Sequence, residues 1–288
     1  MGGTALFPKV ALLDPELTLT LPESVTLHTG LDVLSQGMEG LVSKKATPMS
    51  DVLAIEVCRL VYEWLPVALE EPANLEARSQ MLYAAMLSGC VVAQTGTTLV
   101  HGMGYLYTIE CGIPHGLANA LLLTPLFREN AKHCPQQVAA IAQALGVHTD
   151  PHLGAHTDPA AATTELFPPR GGIKGGVSSD TKVVAGASDP ATAPTAQRAP
   201  HSSVAPGSPD PGAQPDPERV SEDIVIALHN FLNTLGVSPA ARDHGLHESQ
   251  IPNMAVKTHT DPSRFKNQHG EFTLYDIENL YKKSYEGS

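Results

Sequence analysis

Two histidines close a His-x13-His segment, His101-Gly-Met-Gly-Tyr105-Leu-Tyr-Thr-Ile-Glu-Cys-Gly-Ile-Pro-His115-Gly-Leu-Ala-Asn-Ala. Upstream lies Thr29-Gly-Leu-Asp32-Val-Leu-Ser-Gln36-Gly-Met-Glu39. Neutral imidazole is a good ligand for iron or zinc, and a carboxylate adds charge and hardness. Three such groups with an open position would let a divalent metal polarise a substrate oxygen. Asp32 and Gln36 are four apart in a predicted helix and therefore share a face. An Asp-x3-Gln pair carries little by itself. His101 stands among Gly96, Gly102 and Gly104, where backbone can approach closely. His115 follows Pro114, in the first turn of a predicted helix. Taken singly, each histidine reads first as a cap or a hydrogen-bonded core residue.

The elements that position these groups are helices. Lys9–Leu13 reads as a short strand closed by Asp14-Pro15. Thr29 is the expected N-cap of a helix bearing Leu31, Leu34, Met38 and Leu41. Pro48 opens a second helix, expected to end before Pro66. Residues 74–100 read as one long apolar helix rich in small residues. Further helices are expected over 115–130 and 135–145, from Glu222, and from about Thr273. Residues 147–219 carry about half of the prolines and a single aromatic, Phe167; such a segment cannot bury enough apolar surface to fold and is expected to be disordered. The fold class is thus all-α, with a long disordered insertion.

Composition narrows the function. The 288 residues carry a net charge of −12, which argues against nucleic-acid and anionic-membrane partners. Cys58, Cys90, Cys111 and Cys134 form no CxxC pair, as suits free thiols in a reduced cytoplasm; Cys90 and Cys111 are expected to be small buried hydrophobes. The start of the chain has no signal-peptide pattern, and no apolar run approaches the ~20 residues that span a bilayer. His133, His148, His152, His156 and His201 read as solvated, His244 and His247 as loop residues, and Lys44 and Lys45 as an exposed face.

The motifs resemble the iron-containing (group III) alcohol dehydrogenase family. The resemblance rests on Thr29-Gly-x-Asp32, Lys44-Lys45-Ala-Thr-Pro48, the His101-to-His115 spacing and Ile113-Pro-His-Gly-Leu-Ala-Asn119-Ala. It extends to Leu13-Asp-Pro-Glu-Leu-Thr18, Leu21-Pro22, Leu235-Gly-Val-Ser-Pro239, Gly245, Ile251-Pro-Asn-Met-Ala255 and Asp276-Ile277. It implies the family's C-terminal helical metal-binding domain: 1–28 a remnant of the interdomain segment, 29–146 and 220–288 the two parts of the helical domain, and 147–219 the insertion. The implied metal ligands are Asp32, His101, His115 and, as the fourth, Gln36, where the family usually has His. An amide oxygen binds a hard ion more weakly than imidazole does. Tyr105 stands where the family often has a second His and is the candidate proton relay. Asn119, one turn after His115, is a candidate to orient it.

The implied cofactors are a divalent metal, Fe²⁺ first and Zn²⁺ second, and NAD(P) as hydride acceptor for reversible oxidation of a small alcohol to an aldehyde or ketone. The family's N-terminal Rossmann-like domain has no counterpart in the sequence. The glycine cluster Arg170-Gly-Gly-Ile-Lys-Gly-Gly-Val177 follows no predicted strand and opens no helix, so it does not replace that domain's phosphate loop. The implied function is a truncated or split dehydrogenase, acting as a homo-oligomer or with a separate nucleotide-binding chain. The alternative is a catalytically inactive metal-binding or scaffolding module; metal-assisted hydrolysis has only the ligands in its favour.

Overall fold

The computed structural model describes residues 8–147 and 215–288, and among them every regular element is helical. The insertion expected at 147–219, with its glycine cluster and His148, His152, His156 and His201, lies outside the described residues except at its ends. The α-helices are α1 (Glu23–Leu41), α2 (Pro48–Glu70), α3 (Leu75–Thr95), α4 (Leu99–Cys111), α5 (His115–Asn130), α6 (Pro135–Ala144), α7 (Pro217–Thr234), α8 (Ile251–His259) and α9 (Leu274–Glu286). Described residues include no helix long and apolar enough to cross a membrane.

Several starts follow cap chemistry. The Thr47 hydroxyl accepts from Ser50 N while the Ser50 side chain accepts from Thr47 N, a reciprocal box ahead of Pro48. Asn74 caps α3, and Thr273 with Asp276 caps α9. Thr29 does not cap α1. The helix begins two turns earlier, after Pro22, and the Thr29 hydroxyl donates back to Val25 O at 2.8 Å. Residues 9–13 form no strand, because no neighbouring strand pairs with them. Helix α2 runs through Pro66 to Glu70, so tertiary packing overrides the expected stop.

The expected single helix over 74–100 is two. Gly96, at φ 64°, ends α3, and the chain turns through Thr97 and Thr98 into α4. A side chain at Gly96 would be strained at that φ and would also run into the Asn267 amide. That amide donates to Thr97 O, and Leu99 N donates to the Gln268 side chain, so residues 267–268 hold the break.

Helix α5 is almost wholly buried and packs against both α1 and α4, with Leu31, Leu34, Met38, Leu99, Met103, Leu122 and Phe127 in the shared core. Pro125 lies inside α5 and has no N–H for the Leu121 carbonyl. Ser284 of α9 donates to that carbonyl at 2.7 Å and accepts from the Tyr107 hydroxyl at 3.0 Å, docking α9 on the layer. Where α5 crosses α1, a Cβ on Gly116 would overlap the His28 carbonyl oxygen and lie 3.0 Å from Asp32 N. Only glycine lets the start of α5 come this near. Of the cysteines, Cys58 and Cys134 are buried, whereas Cys90 is exposed and Cys111 half-buried. The expectation of burial therefore fails for Cys90 and is met in part by Cys111, which packs against the core.

Gly116→Ala should destabilise the chain by about 1–3 kcal/mol, because the obstructing atoms are backbone. Gly89→Ala, with nothing within 4 Å of the added Cβ, should be neutral or stabilise by up to ~1 kcal/mol. Urea unfolding of both variants checks the pair; equal effects would contradict the close α1–α5 approach.

Candidate metal centre

Three helices converge on one point. Helix α1 brings Asp32 and, one turn later, Gln36; α4 brings His101 from its first turn; α5 brings His115 at its first position. Asp32 Oδ1 lies 3.4 Å from His101 Nε2 and 3.7 Å from His115 Nε2. One donor atom from each of these residues lies within 4.8 Å of the other two. His101 is buried, while Asp32 and His115 are partly open to solvent.

Glu39, two turns after Asp32 on α1, is completely buried. Its Oε1 accepts from Thr98 N and Thr98 Oγ1, both at 2.7 Å, and from His101 N at 3.2 Å. Its Oε2 takes the Nδ1 side of the His101 ring. One carboxylate therefore caps α4 and fixes the tautomer and orientation of His101, leaving Nε2 aimed at Asp32. The sequence reading missed Glu39. Its signal was the seven-residue step from Asp32, which puts both on one helix stripe.

Charge follows from this packing. Burial opposes the imidazolium of His101, but Glu39 and the hydrogen bonds to Asp32 and Glu39 outweigh it and carry the pKa up to about 10. Burial pushes Asp32 upward, yet hydrogen bonds and charge from His101, with Asn119 and His115, hold it below its ordinary value. His115 is held below its ordinary value, first by burial and then by the His101 charge, against the pull of Asp32. A cation would take His101 Nε2 by displacing its proton while Nδ1–H stays on Glu39.

Gln36 donates Nε2 to Asp32 Oδ2 at 2.8 Å, and its Oε1 accepts from Ser88 Oγ at 2.9 Å. The structure thus joins it to Asp32 through a hydrogen bond. Asn119 is fully buried, and its amide nitrogen donates to Asp32 Oδ1 at 2.9 Å. The Tyr105 ring is half-exposed and stacks on His115, with centroids 4.9 Å apart and planes at 22°. Lys44 and Lys45 are exposed, as is His133; His247 lies in the expected loop, whereas His244 ends a short 3-10 helix, Ala241–His244, ahead of Gly245.

This donor set fits a divalent cation. It offers two imidazoles and one carboxylate, with the carboxylate held ionised and one imidazole fixed by a buried partner.

The Fe-containing alcohol dehydrogenase family, C-terminal, matches residues 26–168. A 1-propanol dehydrogenase of Salmonella typhimurium is 39% identical over 146 residues, 50% of this chain and 40% of that protein. A 1,3-propanediol dehydrogenase of Citrobacter freundii is 37% identical over 143 residues, 50% of this chain and 37% of that protein. Among solved structures, the iron-containing alcohol dehydrogenase of Thermotoga maritima superposes with a TM-score of 0.63 at 28% identity, covering 98% of this chain and 55% of that one. The iron-containing alcohol dehydrogenase of Thermococcus thioreducens gives 0.68 at 25% identity, covering 99% and 57%. The chain belongs to the Fe-containing alcohol dehydrogenase family and has the fold of its C-terminal domain. It spans about two-fifths of the length of these curated relatives.

Glu39→Gln keeps the shape but puts an NH₂ where one oxygen must accept. It should cost about 1–3 kcal/mol of stability and weaken divalent-cation binding by roughly 10–100-fold. Thermal melts with and without Zn²⁺ measure both, and a variant with unchanged Zn²⁺ affinity would contradict the role given to Glu39.

Proposed function

We propose that the chain is the metal-binding helical domain of a metal-dependent, NAD(P)-linked alcohol dehydrogenase, which interconverts a small alcohol and its aldehyde or ketone. The observation that carries this reading is the convergence of Asp32, His101 and His115, with His101 fixed by buried Glu39. These three would hold a divalent metal, iron first and zinc second. When bound, such an ion polarises the alcohol oxygen and lowers its pKa. The relatives named as propanol and propanediol dehydrogenases support a small alcohol as the substrate class. NAD(P), as hydride acceptor, would sit on a nucleotide-binding fold outside these helices, on a separate chain or on a longer form of this one. Self-association into a homo-oligomer is the other arrangement expected from the resemblance. The thiols suit the cytoplasm.

The chain's own residues shape the pocket. Asp32 supplies the negative charge, and Gln36 and Asn119 hold its two oxygens. His115 and Tyr105 form the solvent-facing side, where an alcohol would enter. Through its ring Tyr105 positions His115, and its hydroxyl is the candidate for passing the alcohol proton to solvent.

A catalytically silent module is the second reading, favoured by Gln36 standing where the resemblance places a ligand. Metal content and NAD(P)-dependent alcohol oxidation separate the two. Anaerobically purified chain should carry close to one Fe²⁺ or Zn²⁺, and His115→Ala should lose it. Metal retained by His115→Ala would contradict the site; metal bound without any oxidation, even with a nucleotide-binding partner added, would favour the silent module. Tyr105→Phe should keep metal affinity and lower turnover by roughly 10²-fold or more, whereas Tyr105→Ala should also weaken metal binding. Steady-state kinetics and metal titration test this; equal turnover of Tyr105→Phe and the unaltered chain would remove the proton role.

A further inference from the structure

A fourth polar atom, the amide nitrogen of Asn119, lies among the three donor atoms of the centre. Asp32 Oδ1, His101 Nε2 and His115 Nε2 are separated by 3.4 and 3.7 Å along the two edges from Asp32. The Asn119 amide nitrogen lies 2.9 Å from Asp32 Oδ1 and 3.3 Å from each imidazole Nε2. In a tetrahedral site with metal–ligand distances of about 2.1 Å, ligand atoms stand about 3.4 Å apart. The Asn119 amide therefore stands at ligand-like spacing from all three donors, at the place a fourth vertex would take. Both polar atoms of Gln36 are engaged elsewhere, one on Asp32 Oδ2 and one on Ser88.

We propose that the Asn119 carbonyl oxygen, brought to this vertex by rotation of the amide, is the fourth protein ligand of a divalent cation, and that Gln36 braces Asp32 instead of ligating. This rests on the metal-binding reading above. In the cation-free arrangement the amide N–H faces the Asp32 charge, and Oδ1 is buried without a partner. A half-turn about χ2 exchanges two atoms of nearly the same size. One amide atom remains unpaired in either orientation, so the contents of the centre decide between them. Without a cation, the N–H satisfies Asp32; with one, an N–H would face positive charge and an oxygen would bind it. Gly104 makes room for the swap, because a Cβ there would overlap Asn119 Oδ1. The amide is pinned by a glycine on one side and by three donors on the other. The resulting set, one carboxylate and three neutral groups, leaves a divalent ion with a net charge of about +1.

Co²⁺ titration of the full chain tests this, since the ligand-field spectrum reads coordination number separately from affinity. The unaltered chain should show the intense bands of a four-coordinate site, abolished in H115A. N119L should weaken Co²⁺ binding by roughly tenfold or more and change the bands. Q36L should keep the bands even if affinity falls, as a positioning residue would. N119D places a carboxylate oxygen at the vertex without rotation, so it should keep the bands. It should also gain a larger Co²⁺-induced rise in Tm than the unaltered chain, because two carboxylates then meet in the empty centre. If N119L does not fold, N119D carries the test. Unchanged bands and affinity in N119L, or no larger Tm rise in N119D, overturn the Asn119 assignment and leave the three-donor site standing. Co²⁺ binding that survives H115A, or no binding at all, overturns both.

Discussion

A carboxylate with no exposure to water lies at the junction of two helices, and the site depends on how its charge is satisfied. Burying Glu39 unpaired would cost far more than one hydrogen bond returns. Its partners are Thr98 N, Thr98 Oγ1, His101 N and His101 Nδ1, all on α4 or at its start. That requirement fixes where α4 begins, at what angle it meets α1, and which nitrogen of His101 faces Asp32. The Gly96 turn, which looks like a simple break in a long helix, lets α4 present three N–H groups and a hydroxyl to a single carboxylate.

The second constraint is steric. Asp32 and His115 stand on different helices, and their donor atoms come within 3.7 Å only because α5 rides directly on the α1 backbone at Gly116. Gly104 plays the corresponding part for α4, admitting the Asn119 amide to the centre. Around these contacts the core is mostly leucine, valine, alanine and isoleucine. A low-dielectric shell of this kind strengthens every charge interaction inside it. The rise of His101 to about 10 and the lowering of Asp32 both follow from two carboxylates facing the imidazoles in that shell. A proton and a cation would compete for His101 Nε2, and the fixed partner on Nδ1 would serve either state.

Much of this was legible in the sequence. Pro48, Asn74, Pro114, Pro135 and Thr273 mark helix starts that the structure reproduces, because cap chemistry is local. The elements misread were those decided by distant residues. Thr29 has the right side chain for a cap, but the apolar stripe of α1 packs on its neighbours from Thr26 onward and draws the start back to Glu23. The division at Gly96 depends on Asn267 and Gln268, remote in sequence. Asp32, His101 and His115 were readable from ligand type and from the motif resemblance, and the structure brings them together. Glu39 was hidden because a lone glutamate in an apolar helix carries no motif; only its step from Asp32 and its burial identify it. The engagement of Gln36 with Ser88 joins residues 52 positions apart and could not be foreseen.

The proposed function requires a cation site formed by Asp32, His101 and His115 and held by Glu39. Crystals of the chain grown with Zn²⁺ and measured on both sides of the zinc absorption edge test it most directly. A single strong anomalous peak about 2.1 Å from Asp32 Oδ1, His101 Nε2 and His115 Nε2, with Glu39 still on His101 Nδ1, is the predicted result. An ordered site with these side chains in place and no peak among them would contradict it.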